Sequence, residues 1–593
     1  MSLLIACTSP SPRHASADDP ATRALASARM QGFERFEEFE WAGDTGSGWA
    51  KWFPTPNTSR GSGAFLLQGA RFAAYVGTVG WRGLTRNALL EQLLARYEHP
   101  RDMPLDEFSG SFAMIFAGRE GIWLFTDALG IQKVYETSSG TLISTSFLVC
   151  RATLDRPNVN RLRAQEYVLL GAAHGLDTPI EGIRLVAPTS ALDLATRRSA
   201  PLHAPARLRK PCSFREPGEA VEALSAFIAD DLEQMATGFG SDIGMALSGG
   251  FDSRLLLAAL DRIGIRPTLY VYGSPGDSDV AIASTTAARL GMEIKCIDKK
   301  TIDARMPAVT EESLASSIAF FDGLPVDGAI DRGSDRSTRL EQVQNGRLNL
   351  NGGGGEILRN FFLLGDRRFT ADELVSAFYS SWPADAIRSE AEQRSFREAL
   401  RNGILGSLGY APDESTGPAR RLERCDTELV YSLFRLRYWM GRNNSLAARY
   451  GSFLTPLAHP RLVALSASIP MAWKNFGKLE AGIIQALSPR VAAGPSGYGF
   501  EFGTGPNTAY RLAVLSTLLR PVPLRRRSAQ IRSMLGLTRS FTPAPEWRSA
   551  VAALPEQDWI VSEALCDSAQ VNRLLTLRAV LSDKVCGPRT GPP

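Results

Sequence analysis

The first 205 residues carry short apolar runs that glycines interrupt. Three of these runs are AYVGTVGWRG at 74–83, GSFAMIFAG at 110–118 and GIWLFTDALGI at 121–131. Their β-branched and aromatic residues, broken at short intervals, are typical of strands rather than helices. The pattern therefore predicts a sheet-dominated domain over residues 1–205.

The pattern of apolar and polar residues changes after a proline-containing stretch at 197–220, which we interpret as a linker. Short apolar segments then alternate with helix-like runs. The apolar segments are DIGMALSGG, PTLYVYG, MEIKCID and RLNLNGG, and the helix-like runs include DSRLLLAALDRI and DVAIASTTAARL. Alternation of this kind predicts a parallel, doubly wound α/β sheet over the second domain, residues 206–593, with a mostly helical part from about residue 370.

Composition is that of an ordinary globular protein. The 593 residues are 44% hydrophobic and 22% charged, and the net charge of +4 is too small to predict a nucleic-acid partner. The seven cysteines are odd in number and never form a CxxC pair, so neither a zinc site nor a disulfide framework is expected. Since no window is long and apolar enough to cross a bilayer, we expect a cytoplasmic protein with no membrane partner.

The stretch ALSGGFDSRLLLAAL places two glycines and an aspartate between a predicted strand and a predicted helix. The strand is expected to end at Leu247, and the turn Ser248, Gly249, Gly250 would then lead into a helix near Asp252. Glycine amides and the start of a helix together bind phosphate oxygens well. Asp252 would repel an anion unless Mg²⁺ lay between them. The alternative is a plain tight turn in which Asp252 caps the helix.

A second glycine turn, LNLNGGGGEILRN, follows another predicted strand that ends at Asn351. Its glycines, Gly352–Gly355, precede the acid Glu356. Because the carboxyl ends of parallel strands lie at one edge of a sheet, both turns are expected to meet there. The sequence therefore predicts that Asp252 and Glu356 share one Mg²⁺ that carries the phosphates of a nucleotide.

SGGFDS resembles the pyrophosphate loop of the ATP-pyrophosphatase superfamily, and its surroundings resemble the asparagine-synthetase branch. FSGSFAMIFAG and FTDALGIQKVYE are similar to that branch's glutamine amidotransferase-like domain, and GRNNSLAARYGSFLTPLAHPRL is similar to its late segment. The resemblance implies an α/β plus α+β protein, with an N-terminal-nucleophile sheet domain before a parallel-sheet ATP-pyrophosphatase domain with added helices.

The chain departs from glutamine-hydrolysing members at its start, Met1-Ser2-Leu3, where they carry a cysteine nucleophile. Members without that nucleophile join an amine already present in their substrate. The length, the GGGGE turn and the Arg-Asn-Asn stretch resemble lasso peptide cyclases most. The alternatives are a β-lactam synthetase-like ligase, an ammonia-dependent asparagine synthetase-like ligase, and a non-catalytic nucleotide-binding scaffold.

The cyclase resemblance implies ATP and Mg²⁺ as cofactors, and an Asp or Glu side chain of a precursor peptide as the group that is adenylated. A leader-peptide-binding protein and a leader protease are the further partners it implies. The nucleotide contacts implied are Leu247, Ser248, Gly249, Gly250, Asp252, Ser253, Tyr272, Gly273, Gly352 and Gly354. For Tyr272 and Gly273 the alternative is a turn packed in the core.

Two catalytic residues are implied as well. Glu428 would take the proton of the attacking amine, unless it is a surface carboxylate on an amphipathic helix. Lys478 matches a family lysine that meets phosphate, whereas a further family lysine is missing near Ser496, where Arg490 could compensate. The peptide cavity is expected among Trp439, Arg442, Asn443, Asn444 and Phe453, of which Trp439 and Phe453 could equally be core residues.

Overall fold

The structure is a computed structural model that describes residues 2–9, 19–43, 46–55, 63–305, 309–331, 333–379, 382–410, 420–525, 558–565 and 567–582. Met1, Cys566 and Cys586 lie outside these residues.

Two antiparallel sheets make up the first part of the chain. One sheet runs in the order Ile183–Leu185, Tyr135–Thr137, Leu142–Ser144, Leu3–Cys7, Gly46–Phe53 and Glu37–Gly43. The other runs in the order Ser199–Pro201, Ser190–Asp193, Gly121–Thr126, Ser109–Gly118, Arg71–Trp81 and Ala64–Gln68, with Leu84–Thr85 beside Arg71–Trp81. The helices here are Pro20–Met30, Arg86–Arg96, Phe147–Ala152 and Arg161–Leu170. The predicted sheet-dominated region is confirmed.

The interpretation of 197–220 as a linker is wrong at both ends. Ser199–Pro201 pairs with Ser190–Asp193 as an edge strand, a position that tolerates proline. Helix Pro217–Phe239 has already begun before residue 220, with its proline at the first helical position.

A five-stranded parallel sheet organises the second part. Its order is Ile294–Ile297, Thr268–Tyr272, Ile243–Ala246, Leu348–Leu350 and Phe453–Leu454, and every neighbouring pair is parallel. The helices up to residue 342 are Pro217–Phe239, Phe251–Arg262, Ser278–Arg289, Lys299–Ala304, Glu311–Phe320 and Ser334–Gln342. The predicted alternation of strands and helices is confirmed, although two strands end one residue earlier than expected, at Ala246 and Leu350.

From residue 370 onward the chain is mostly helical, as predicted. The helices are Ala371–Phe378, Glu390–Ser407, Arg424–Val430, the π-helix Tyr431–Met440, Gly441–Ala448, Pro460–Ser468, Met471–Lys474, Lys478–Leu487, Pro489–Ala492, Thr508–Leu518 and Ser568–Leu581. One short antiparallel pair, Phe369–Thr370 with Arg421–Leu422, interrupts them. None of the helices within the described ranges is long and apolar enough to span a membrane.

The two parts share a hydrophobic core. The largest buried cluster joins Leu3 and Trp49 of the antiparallel region to Leu255 and Phe434 of the later region. Burial of that apolar surface stabilises the fold and fixes the π-helix between the two parts.

Candidate functional site

The first glycine turn is held by its own serines. The Ser248 amide donates to Ser253 Oγ at 3.0 Å, the two hydroxyls lie 3.1 Å apart, and the Gly250 amide donates to Ser248 Oγ at 3.2 Å. Gly250 is the N-cap of helix Phe251–Arg262, and Asp252 lies in the first turn of that helix. The alternative in which Asp252 caps the helix is therefore wrong.

Neighbouring segments also hold this turn closely. The Gly249 amide donates to Asp279 Oδ1 at 3.1 Å, and the Gly497 amide donates to Gly249 O at 2.9 Å. A Cβ on Gly249 would lie 3.0 Å from the Asp279 carboxylate and from the Gly497 amide, so glycine is needed here for space. The predicted phosphate contact of the Gly249 amide would require Asp279 to release it.

The second glycine turn packs directly on the first. A Cβ on Gly352 would lie 3.2 Å from Asp252, and one on Gly355 would lie 2.3 Å from Asp252 Oδ1. Gly354 has a left-handed backbone with φ of 95° and leads into the 3₁₀-helix Gly355–Leu358, which contains Glu356. The expectation that the two turns meet at one sheet edge is thereby met.

Arg359 is the cation at the centre of the acids. Its Nη2 donates to Asp252 Oδ1 at 2.7 Å, and its Nε lies 2.8 Å from Glu480 Oε2 without the alignment of a hydrogen bond. Glu356 Oε2 accepts from the Tyr431 hydroxyl at 2.5 Å and from the Gly354 amide at 3.2 Å. The sequence did not indicate Arg359, Glu480 or Tyr431 as part of this site.

The carboxylates of this cluster outnumber the cation that pairs with them, Arg359. Burial raises the pKa of Asp252, Arg359 opposes that shift, and the nearby Glu356 carboxylate adds to it. Burial also raises the pKa of Glu480 well above its usual range. An additional cation would stabilise the ionised carboxylates.

A metal site built from protein groups alone is not present in the described part of the chain. Those residues contain no cluster of three or more His, Cys, Asp or Glu side chains able to hold a metal ion. The shared site of Asp252 and Glu356, completed by phosphate oxygens, therefore stays a prediction.

Glu428 is buried and paired with two cations. Its Oε2 accepts from Lys474 Nζ at 2.8 Å, its Oε1 accepts from Arg424 at 2.6 Å, and Lys474 is fully buried. The alternative of a surface carboxylate is therefore wrong. Burial lowers the pKa of Lys474, which Glu428 counteracts. Lys478, in contrast, is exposed at the start of helix Lys478–Leu487.

Tyr272 and Gly273 end the strand beside the first turn. Tyr272 is 38% exposed, and its hydroxyl accepts from Gln342, so the alternative of a core residue is wrong for Tyr272. Gly273 has φ of 139°, and a Cβ there would lie 2.8 Å from Asp277. Both residues stay candidates for contact with adenine.

Arg442 and Asn444 are engaged in internal contacts. Arg442 Nη1 donates to Tyr135 Oη at 3.0 Å and to Asp322 at 3.2 Å, which ties the helical part to the antiparallel sheets. Asn444 is buried and donates to Thr455 Oγ1 at 2.8 Å. The cavity that Arg442 lines measures about 60 Å³, too small for a peptide. The expectation that these two residues wall a roomy cavity lacks geometric support.

The other predicted cavity residues differ among themselves. Phe453 is buried in a core strand, and its amide donates to Thr78 Oγ1, so it is a core residue. Asn443 accepts from Arg339 at 2.8 Å, and Trp439 is half-buried against Arg435.

The loop around Ser496, where the resemblance predicts a lysine that this sequence lacks, places Tyr498 at the site. Tyr498 Oη accepts from Arg359 at 3.3 Å, and the loop is anchored by buried Arg254, which donates to Pro495 O at 2.6 Å. Arg490 is exposed. Arg359 is therefore the cation nearest to Asp252 that the structure provides.

The chain has no match among protein families or curated proteins and a weak one among solved structures. No protein-family model matches the chain, and no curated protein matches it. Among solved structures, it is similar to the glutamine phosphoribosylpyrophosphate (PRPP) amidotransferase from B. subtilis complexed with ADP and GMP. The identity is 11% and the TM-score 0.21, with 50% of this chain and 66% of that chain covered, just under two thirds. Values this low establish neither a shared fold nor a shared activity.

Proposed function

We propose that this protein is an ATP-dependent, AMP-forming ligase that closes an isopeptide ring in a precursor peptide, the reaction of lasso peptide cyclases. One observation supports this above the others. The SGGFDS turn packs on the GGGGE turn, so that Asp252 lies beside the backbone that carries Glu356. A structural turn alone does not need two half-buried acids beside the start of a helix.

Magnesium fits this proposal through Asp252, Glu356 and the phosphate oxygens of ATP, since Mg²⁺ prefers a few carboxylates together with phosphates. Asp252 and Glu480 share one cation, Arg359, and this excess of carboxylates favours a bound cation. When bound, the ion would neutralise charge on the departing pyrophosphate.

The reaction has two steps. A side-chain carboxylate of the peptide attacks the α-phosphorus of ATP, which gives an acyl-adenylate and releases pyrophosphate. The N-terminal amine of the peptide then attacks the acyl carbon, so that an amide bond forms, AMP leaves and the amine loses a proton. A leader protease and a leader-peptide-binding protein would deliver the peptide with a free amine.

Residues of the site have separate roles in these steps. The hydroxyls of Ser248 and Ser253 and the Gly250 amide, at the start of a helix, would donate to pyrophosphate. Glu428, held in place by Lys474 and Arg424, would accept the proton of the amine. Exposed Lys478 would contact phosphate.

A second candidate, a nucleotide-binding scaffold without catalysis, is favoured by one specific observation. Arg359 already pairs with Asp252, and Asp279 already accepts the Gly249 amide. In a scaffold these contacts would persist when nucleotide binds, whereas in a ligase both would be exchanged for metal and phosphate.

Exchange of labelled pyrophosphate into ATP, with a leader-free peptide present, separates the two candidates. We expect exchange by the native chain and a loss of about a hundredfold or more in Asp252→Asn. Asp242→Asn is the matched control, since Asp242 is exposed and directly precedes strand Ile243–Ala246, at the end opposite the SGGFDS turn. Mass spectrometry should then show a product lighter by one water. Absence of exchange in the native chain, with ATP still bound, would overturn the cyclase proposal and favour the scaffold.

A further inference from the structure

A second cavity lies where the antiparallel region, the segment after it and the late helices meet. It measures about 390 Å³ and shares no lining residue with the two glycine turns. Five cationic side chains but a single acid line it: Arg101, Arg207, Lys210, Arg437 and Arg461 against Asp106. The whole chain has nearly balanced charges, so this local excess is a feature of the cavity.

Most of these cations form no ion pair with a carboxylate of the described residues. Arg101 pairs with Glu120 at 2.9 Å, but no carboxylate within the described residues pairs with Arg207, Lys210, Arg437 or Arg461. Arg207, Lys210 and Arg461 are exposed at the opening of the cavity. An anionic ligand would therefore meet several cations that are free to bind it.

The interior of the cavity is mostly apolar and contains one guanidinium and the His203 imidazole. Met103 and half-buried Leu208 contribute apolar surface over fully buried Leu433. Arg437 is 3% exposed, and its Nε donates to Leu129 O at 2.7 Å. A buried guanidinium without an acid is costly, and a carboxylate that reached it would reduce that cost.

We propose that this cavity binds a short acidic peptide segment of a partner protein. Its carboxylates would face Arg207, Lys210 and Arg461, and an apolar side chain would pack on half-buried Leu208. An apolar floor with cations at the opening suits a peptide that carries both kinds of side chain. The inference goes beyond the proposed ligase activity and does not rest on it.

Fluorescence anisotropy with the full chain, without nucleotide, tests the proposal. The probe is a fluorescein-labelled hexapeptide of alternating leucine and glutamate, and its control has glutamine in place of glutamate. We expect the acidic probe to bind the native chain, and the combined variant Arg207→Gln/Lys210→Gln/Arg461→Gln to bind it about tenfold more weakly. The glutamine probe should bind far more weakly than the acidic one.

The matched control is Arg29→Gln/Arg262→Gln/Arg305→Gln, which removes the same charge at exposed arginines outside the cavity. It should keep the native affinity within twofold, and thermal melts check that both variants fold. Equal affinity of the two variants, or no binding of the acidic probe below millimolar concentration, would overturn the proposal. So would displacement of the probe by micromolar citrate, because the ligand would then be a small polyanion. None of these results bears on pyrophosphate exchange.

Discussion

The buried pair of Lys474 and Glu428 allows a stability prediction at a residue for which we propose a catalytic role. In Lys474→Met, an apolar side chain of similar length replaces an ammonium that is fully buried. The Glu428 side chain, 8% exposed, would lose that partner but keep Arg424 at 2.6 Å. Removing one partner of a buried pair costs about 3–5 kcal/mol, and the remaining arginine places this case near 3 kcal/mol.

Urea unfolding followed by tryptophan fluorescence measures this loss. Lys295→Met is the matched control, because Lys295 and Glu341 form an ion pair with side chains 57% and 43% exposed. That exposed pair should contribute about 0.5 kcal/mol or less. The double variant Lys474→Met/Glu428→Leu should regain only part of the lost stability, since both charges of the pair are gone but Arg424, whose side chain is 19% exposed, loses its carboxylate.

A loss below about 1 kcal/mol in Lys474→Met would refute the reasoning, because it would mean that the ammonium is not held in a low-dielectric interior. The double variant also separates stability from catalysis. If Glu428 accepts the amine proton, this variant should fold, retain pyrophosphate exchange and form no ring. Ring formation by the double variant would remove Glu428 from the mechanism.

Three other predictions follow from single contacts. Gly355→Ala should lower pyrophosphate exchange at least tenfold, because its Cβ would lie 2.3 Å from Asp252 Oδ1. Gly365→Ala is the control and should have no effect, since a Cβ there would meet nothing within 4 Å. Equal activities of the two variants would contradict the close packing of the turns. Tyr431→Phe removes the hydroxyl that donates to Glu356 and should change the Mg²⁺ concentration needed for half-maximal exchange, which a titration of the two proteins would show. Burial raises the pKa of Asp231 from 3.8 to about 7, so between these values the folded protein holds a proton that the unfolded chain has released, and the contribution of Asp231 to stability should fall as pH rises from 4 to 7. Burial lowers the pKa of His203 and of His459 to about 4, so these two residues contribute in the opposite direction. The Asp231 contribution amounts to about 4 kcal/mol at most, and the unfolding free energy of Asp231→Asn relative to the native chain, measured in urea, should therefore rise between pH 4 and pH 7; an unchanged difference would disprove it.

Local patterns predicted the elements and the two turns well. SGGFDS and GGGGE are contiguous, and the rule that parallel strands end at one sheet edge was enough to bring them together. The short strands around them follow from β-branched and aromatic runs between glycines.

Partners distant in sequence could not be predicted in the same way. Arg359 reaches Asp252 and Glu480 across more than a hundred residues in either direction, and among so many arginines no local signal distinguishes it. Arg442 was placed in a cavity because it lies in a family-like segment, yet its side chain pairs with Asp322. A local window shows that a charge exists but not which distant charge it meets.

The π-helix Tyr431–Met440 sets the orientation of the side chains along the late helices. A wider turn of this kind accommodates extra residue length within an otherwise α-helical stretch. With α-helical geometry over the same ten residues, each residue would advance by about 100°, more than in this wider turn, so the angle between the Tyr431 and Arg437 side chains would change. Tyr431 could then no longer face Glu356 while Arg437 donated to Leu129 O, so the wider turn allows one continuous helix to contact both the second glycine turn and the antiparallel region.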